Sequence, residues 1–300
     1  MAVGGVDAEI RAAAFQWLED QVARYGERIP WKVLQSFTYD GRRIALITQR
    51  GIRWQRGMPA LSFATTYSPD PSRAPYADHV GDDGLPRYKY QGTDAASADN
   101  VAMKRAEASG LPLIWFVGTG DGVYSAHYPV YLHGHDDVAL EFTVALDDEQ
   151  RALADDDRLD PLTKAHYVER LTRMRLHQPL FRSRVLRAYQ TTCAICRLRH
   201  ASLLDAAHIV TDAAGGQPVV TNGLALCKIH HAAYDQYLLS VTPTYRVAIA
   251  PSVLRERDGP MLLHGLQEAH GWSIQLPRRR AEHPDRDALA ERHATFAQLG

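Results

Sequence analysis

Two matched ligand spacings stand out in this chain: Cys193-Ala-Ile-Cys196 and, about thirty residues on, Cys227-Lys-Ile-His230. Thiolates and an imidazole at these spacings suit a closed tetrahedral Zn²⁺ site. All three cysteines of the chain lie in this one stretch. Between and after the knuckles come His208, Asn222 and His231, polar groups left over for chemistry. His230 and His231 could exchange roles. His230 is the preferred zinc ligand because Cys227-x2-His230 mirrors Cys193-x2-Cys196. An imidazole titrates near neutrality, so His208 is the best candidate for a general base.

Length and charge bound the setting. A chain of 300 residues, 45% hydrophobic and 23% charged, is ordinary for one or two globular domains. No apolar run is long enough to span a bilayer. The start lacks a basic stretch followed by an apolar one, so no secretory signal is expected. An odd number of cysteines in metal-ligand spacing points to a reducing, cytoplasmic setting rather than a disulfide scaffold. The net charge of −1 hides a segregation. Residues 136–160 carry ten acids against two bases, and residues 161–200 carry nine bases against Glu169. That polarity is expected to mark either a phosphate-facing surface beside an acidic linker or two solvated faces of opposite sign.

The elements that must position these groups follow from periodicity. Residues 7–25 read as a helix with Asp7 at its N-cap. Short β-branched and aromatic runs at 43–48, 60–67, 87–90, 113–117, 128–132 and 140–144 read as strands of a compact barrel or strongly curved sheet. A helix at about 99–109, capped by Asp99 or Asn100, interrupts them. Asp160-Pro161 starts a further helix, which Pro179 is expected to stop, with a second helix from Leu180 to Tyr189. Then come a strand over 202–210, a Gly-rich loop, a helix over 227–236, strands near 238–241 and 245–250, and a helical tail within 281–299.

Residues 180–255 resemble the HNH endonuclease family with its ββα-metal fold. The resemblance rests on Phe181-Arg-Ser-Arg-Val-Leu-Arg-Ala-Tyr189, the two knuckles, Leu204-Asp-Ala-Ala-His208-Ile209, Asn222-Gly-Leu-Ala-Leu-Cys227 and His230-His231-Ala-Ala-Tyr-Asp235. It is similar above all to the subgroup in which such a module ends a restriction endonuclease whose front half reads DNA. The resemblance implies His208, Asn222 and His231 as catalytic residues. His208 would activate water, Asn222 would fix its loop and ring, and His231 would bind a hard divalent cation, Mg²⁺ or Mn²⁺. Cys193, Cys196, Cys227 and His230 would hold structural Zn²⁺. One departure is Ala207, where many members have a metal-binding Asp or His. Asp205 either supplies that carboxylate or serves structurally, capping a loop or bonding an arginine. Asp235, one turn after His231, is a weaker candidate for supporting the metal site.

The front half resembles, more loosely, PUA-like modules, which include SRA-type readers of modified bases. Residues 60–67, 75–78, 88–94, Asn100, 112–118, 122–124 and 129–131 carry the resemblance. It implies a pocket for a flipped base, with walls drawn from Tyr67, Tyr88, Tyr90, Trp115 and Tyr124 and edge contacts from Asp78, Asp94 and Asn100. Each of these aromatics has a competing role in core packing.

The expected fold is α+β. A PUA-like recognition domain (1–146) is joined by an acidic-to-basic helical linker (147–179) to a ββα-metal HNH domain (180–300). The expected function is cleavage of modified double-stranded DNA, with Arg170, Arg173, Arg175, Arg182, Arg184 and Arg187 on phosphates. A homodimer would supply the second cut. Two alternatives remain: an inactive zinc-stabilised sensor of modified DNA, or an HNH enzyme cutting unmodified DNA at a fixed sequence.

Overall fold

The strand Leu113–Gly120 is buried along its whole length because both of its faces are covered. Ile114 and Phe116 enter one core with Ile10, Ala14 and Leu18 of the helix Val3–Tyr25. Leu113, Trp115 and Val117 enter the other, with Met103 and Ala106 of the helix Ala98–Ala108. In this computed structural model, residues 3–26, 28–67, 80–156, 158–211 and 214–299 are described. The chain divides into two compact units, Met1–Leu180 and Phe181–Gly300.

The first unit is built on a seven-stranded mixed sheet that curls into a half-barrel. Ala60–Thr65 runs parallel to Leu113–Gly120, and the remaining neighbours pair antiparallel. The fourteen-residue strand Val123–Asp136 makes the curl. It pairs with Leu113–Gly120 through its first part and with Glu141–Ala145 through its last. Register shifts at Leu113/Trp115, Gly118/Gly120 and Leu132/Gly134 bend it between. The expected strand at 43–48 is only Arg42–Arg43 in a short hairpin, after which Ile44, Leu46 and Ile47 pack as buried loop.

Three helix ends differ from expectation. Asp7 lies inside the first helix, because Arg11 buries its charge against it (Nε–Oδ2 2.6 Å) and donates onward to Pro112 and Ala60 carbonyls. Ser97, not Asp99 or Asn100, caps Ala98–Ala108. Asp99 instead accepts from Trp54 Nε1 (2.6 Å), and Asn100 bonds the Gln91 and Asp94 backbone. Pro179 does not stop the helix begun at Asp160-Pro161. Pro161–Thr172 continues through a π-helical turn, Arg173–His177, into Gln178–Ala188. Pro179 falls in the first turn after that widened segment, where its missing N–H costs least.

Residues 147–179, expected as a helical linker, group with the first unit. Asp147 caps Asp148–Ala154, and buried Gln150 bonds Leu146 N, Val168 O and Thr172 Oγ1. Thr172 in turn donates to Gly84 O (2.8 Å). Gly84 has φ +79°, and a Cβ there would meet Ala165 O at 2.6 Å, so only glycine lets the chain lie against Pro161–Thr172. Leu176 and Leu180 complete the core of this unit. The apolar face of the segment demands burial, which its charge pattern alone concealed.

The second unit packs the hairpin Leu204–His208/Gly223–Cys227 against the helix Lys228–Asp235. A smaller hairpin, Leu239–Val241/Val247–Ile249, and the tail helix Arg286–Leu299 close the core. No helix among the described residues is long and apolar enough to cross a membrane.

One buried titration in the first unit is testable. His127 bonds Ser125 Oγ through Nε2 (3.0 Å), and burial lowers its pKa to about 4 from the ordinary 6.5. The folded state therefore disfavours the charged ring, so stability present above pH 6.5 is lost as the pH falls toward 4. The full shift corresponds to roughly 3 kcal/mol; with part of the residue still reaching solvent, about 2 kcal/mol is expected. Denaturant unfolding of His127→Asn should show a correspondingly flatter loss between pH 6.5 and 4.

Candidate functional site

The four knuckle residues converge. The Sγ atoms of Cys193, Cys196 and Cys227 and a ring nitrogen of His230 all lie within 4.8 Å of one another. Cys196 Sγ sits 3.9 Å from Cys227 Sγ, and His230 Nδ1 sits 3.2 Å from Cys227 Sγ and 3.5 Å from Cys193 Sγ. A tetrahedral zinc with Zn–S near 2.3 Å places its sulfurs about 3.8 Å apart, so the donor set and its size fit the ion. His230 Nε2–H donates to Gly265 O (2.9 Å), which fixes the tautomer and turns Nδ1 toward the sulfurs. Cys227 N–H also bonds Cys193 Sγ (3.3 Å).

The same proximity perturbs the protons. Hydrogen bonds from Cys196 and then Cys227 hold the Cys193 thiol far below its ordinary value. Burial opposes charge on His230, but its bonds to Cys193 and Cys227 prevail and raise it to about 9. The Cys193 and Cys227 bonds in turn push the Cys196 thiol up, so the His230 imidazolium faces the Cys193 thiolate where a metal would replace the proton.

His208 ends the first strand of the hairpin, opposite Gly223. Its ring stacks on Phe181, with centroids 3.9 Å apart and planes at 18°. Gly223 makes this approach possible: a Cβ there would meet Val185 Cγ2 at 2.4 Å and Phe181 Cζ at 2.9 Å. Asn222 acts on the loop after His208. Its Oδ1 accepts from Val210 N (2.8 Å), and its Nδ2 donates to Val210 O and Gln217 O (3.0 Å each). Gly216 is required within that loop, since a Cβ would come 1.9 Å from Val210 O. Asn222 thus bonds the loop backbone, while the His208 ring stacks on Phe181.

His231 lies outside the cysteine cluster. Its Nε2 is 3.3 Å from Asp235 Oδ2, and its Nδ1 is 3.7 Å from Asp205 Oδ2. Asp205 also receives Arg182 Nε (3.1 Å) and Lys228 Nζ. Partial burial works to raise its pKa, but the bonds from Lys228 and Arg182 outweigh this and hold the carboxyl below its ordinary value. Asp205 is thus an ionised carboxylate facing His231 Nδ1, with Asp235 on the ring's far side. The His231 ring lies between two carboxylates.

The arginine surface is partly consumed within the chain. Arg173 pairs with Glu169 (2.9 Å), Arg175 with Asp147 and Glu149, and Arg182 with Asp205. Arg170 is exposed; Arg184 and Arg187 are half-buried. The acidic and basic runs neutralise one another in part, which their separation in sequence hid.

Of the base-pocket aromatics, Tyr88, Tyr90 and Trp115 share one core. Trp115 is fully buried, stacked on Phe63 with its Nε1 donating to Thr65 Oγ1 (2.9 Å). Tyr88 packs edge-on to Phe63. Tyr90 is buried with its hydroxyl on Asp137 (2.6 Å), and burial first, then that bond, raises its pKa. Tyr124 joins the opposite core. These four are core side chains rather than open stacking walls, as half-buried sheet aromatics usually are. Asn100 is fully buried and bonds its own loop; Asp94 is exposed and caps Ala96 N (2.9 Å). Tyr67 is half-buried at the strand's end. Asp78 lies outside the described residues.

Residues 193–242 match the HNH endonuclease family. The matched stretch includes both knuckles, Asp205, His208, Asn222 and His231, so the second unit carries an HNH endonuclease domain. Among solved structures, the chain is similar to the modification-dependent TagI restriction endonuclease, at TM-score 0.30 and 17% identity over 82% of this chain and 85% of that one. It is also similar to the type IV phosphorothioation-dependent restriction endonuclease ScoMcrA, at TM-score 0.22 and 17% identity. That match covers 57% of this chain and 49% of the other. No curated protein matches the chain.

Arg292, beyond the matched stretch, escaped the sequence reading. It is buried on the tail helix and donates to Tyr234 O (2.8 Å) and Ile209 O (3.4 Å). Its guanidinium lies over the Tyr234 and Tyr237 rings, 3.9 Å from Asp235. One side chain therefore touches the residue after His208 and the carboxylate behind His231. Its signal was a charge at helical spacing within an apolar stripe, Leu289, Arg292, Phe296.

Two outcomes follow for stability. The purified protein should carry about one zinc per chain by elemental analysis, and Cys193→Ser should lose both zinc and cooperative unfolding of the second unit. A folded, zinc-free Cys193→Ser protein would contradict a structural role. Arg292→Met should keep zinc but lower the stability of that unit by about 2–4 kcal/mol in denaturant unfolding, with Arg292→Lys recovering part of the loss.

Proposed function

We propose that the protein is a modification-dependent DNA endonuclease of restriction type, cutting phosphodiester bonds at the HNH site. The observation that carries this reading is the joint placement of His208, the Asn222-held loop and the His231–Asp205 pair on one hairpin–helix unit beside a metal-ready cluster.

In this reading His208 takes a proton from water, with Phe181 limiting how the ring can turn and Asn222 fixing the backbone beside it. His231 and Asp205 would hold Mg²⁺ or Mn²⁺, which would supply charge for the phosphoryl oxygens and the departing 3′ oxygen. Asp235 accepts the His231 Nε2 proton and leaves Nδ1 for ligation. Cys193, Cys196, Cys227 and His230 hold Zn²⁺ and fix hairpin against helix.

The assignment of the front unit rests on the weaker PUA-like resemblance. Residues 1–146 would form the reader, with double-stranded DNA carrying a modified base as the partner. With four aromatics committed to the core, Tyr67 is the aromatic left from that set for contact at the surface. Arg170, the exposed member of the six arginines, is the favoured phosphate contact among them, and a homodimer would cut both strands.

The test is digestion of matched DNAs that are unmodified or carry modified cytosine or adenine, with Mg²⁺ or Mn²⁺. The intact protein should cut only a modified substrate. His208→Ala should lose at least about 10²–10³-fold in rate with zinc content and unfolding unchanged. Retained turnover would remove His208 as the base. Binding without cleavage by the intact protein would favour the sensor, and discrete fragments from unmodified plasmid would favour a sequence-specific enzyme.

A further inference from the structure

The second unit carries 14 Lys and Arg against 10 Asp and Glu, a net charge of +4, while the whole chain is at −1. Within it, Pro277-Arg278-Arg279-Arg280 is the densest run of positive charge, and all three arginines are exposed. The family match ends at residue 242, well before this run.

The backbone beneath them is pinned from both sides. Gln275 N–H donates to Ala194 O in the first knuckle (2.7 Å), and Arg197 Nη1 reaches Gln275 Oε1 (2.9 Å). At the other end Asp285 N–H donates to Thr221 O (2.9 Å), next to Asn222. Between these anchors Pro277 and Pro284 are buried, their carbonyls taken by His283 Nε2–H and Tyr245 O–H (3.0 Å each). The segment thus runs from the cysteine cluster to the loop that follows His208. It holds three guanidinium groups beside the site on a fixed backbone.

Their charge is not spent locally. Among the described residues Arg278 and Arg280 make no ion pair, and Arg279 reaches only Glu282, at 3.8 Å and largely in water. Such an exposed pair contributes little. The other nearby acid, Asp285, caps the tail helix through Asp287 N and Ala288 N. This contrasts with Arg173, Arg175 and Arg182, which close ion pairs within the chain. Three clustered and largely uncompensated guanidinium groups create a potential suited to a row of phosphates.

We infer that Arg278, Arg279 and Arg280 form a track for the phosphate backbone of duplex DNA flanking the HNH site. This rests on the nuclease reading of that unit. It shifts the main phosphate contact away from the arginines of residues 161–200. The contacts carry no sequence information; they set the register of the strand.

The test is binding of a 30-base-pair duplex without divalent metal, followed by fluorescence anisotropy over 50–300 mM NaCl. The substitutions Arg278→Gln/Arg279→Gln/Arg280→Gln should flatten the slope of log K against log salt by about 2–3 and weaken binding at least tenfold at 150 mM. The control pair Arg255→Gln/Arg257→Gln, also exposed in this unit, should leave the slope unchanged. An unaltered slope in the triple variant, an equal flattening in the control, or no duplex binding by the parent at 50 mM salt would overturn the track. Should the triple variant fail to unfold cooperatively, the single variants Arg278→Gln and Arg280→Gln decide it, each expected to flatten the slope by about 0.9. A parent that binds duplex but never cuts with Mg²⁺ or Mn²⁺ would sink the nuclease reading while leaving the slope comparison decisive.

Discussion

The convergence of Cys193, Cys196, Cys227 and His230 is the constraint on which the second unit depends. Cys193 and Cys196 precede the hairpin, Cys227 ends its second strand, and His230 sits in the first turn of the helix that follows. Tying the four together fixes where strand ends and helix begins, so His231, one residue on, has no freedom to choose its direction. The short helix Lys228–Asp235 would be marginal by itself. Its geometry is set by what clasps its first turn.

From that clasp the rest is steric. The hairpin register sets His208 opposite Gly223, and the missing side chain at Gly223 lets Phe181 lie against the imidazole. A methyl there would force the helix Gln178–Ala188 away, at a cost of about 1–3 kcal/mol if the core accommodated it at all. Asn222 and Gly216 close the loop over the strand end, and Arg292 supports both that loop and the helix from beneath. Loop, ring and carboxylates are thus held by different neighbours, which is how a site avoids depending on one flexible side chain.

How much of this was legible depended on the kind of signal. The knuckle spacings and the His208, Asn222, His231 order were readable because ligand chemistry restricts residue type and spacing together. The Asp160-Pro161 helix start was readable because both residues act locally. What could not be read was decided by partners distant in sequence. Asp7 caps nothing because Arg11 and two remote carbonyls claim the pair. Residues 147–179 were read by their charges, but Gln150, Val168, Thr172 and Leu176 settled their place. Tyr88, Tyr90, Trp115 and Tyr124 have the composition of a stacking pocket and the burial of a core, and composition cannot separate the two.

Asp205 shows how magnitudes separate its two possible roles. Its carboxylate is claimed by Arg182 and by Lys228, one on each oxygen. The two partners differ in burial, however. The Lys228 side chain is 56% exposed and Arg182 is 31% exposed. A solvated lysine pair contributes no more than about 1 kcal/mol and is readily exchanged. The more enclosed Arg182 also donates to Leu204 O (2.8 Å) and Ala201 O (3.2 Å), so its fork is held whether or not Asp205 changes partners. Oδ2, held by the solvated ammonium and facing His231 Nδ1, is therefore the oxygen that would be free to ligate, while Arg182 keeps Oδ1 in place. In the nuclease reading, the structural role and the ligand role of Asp205 are complementary: one oxygen anchors the strand and the other stays available.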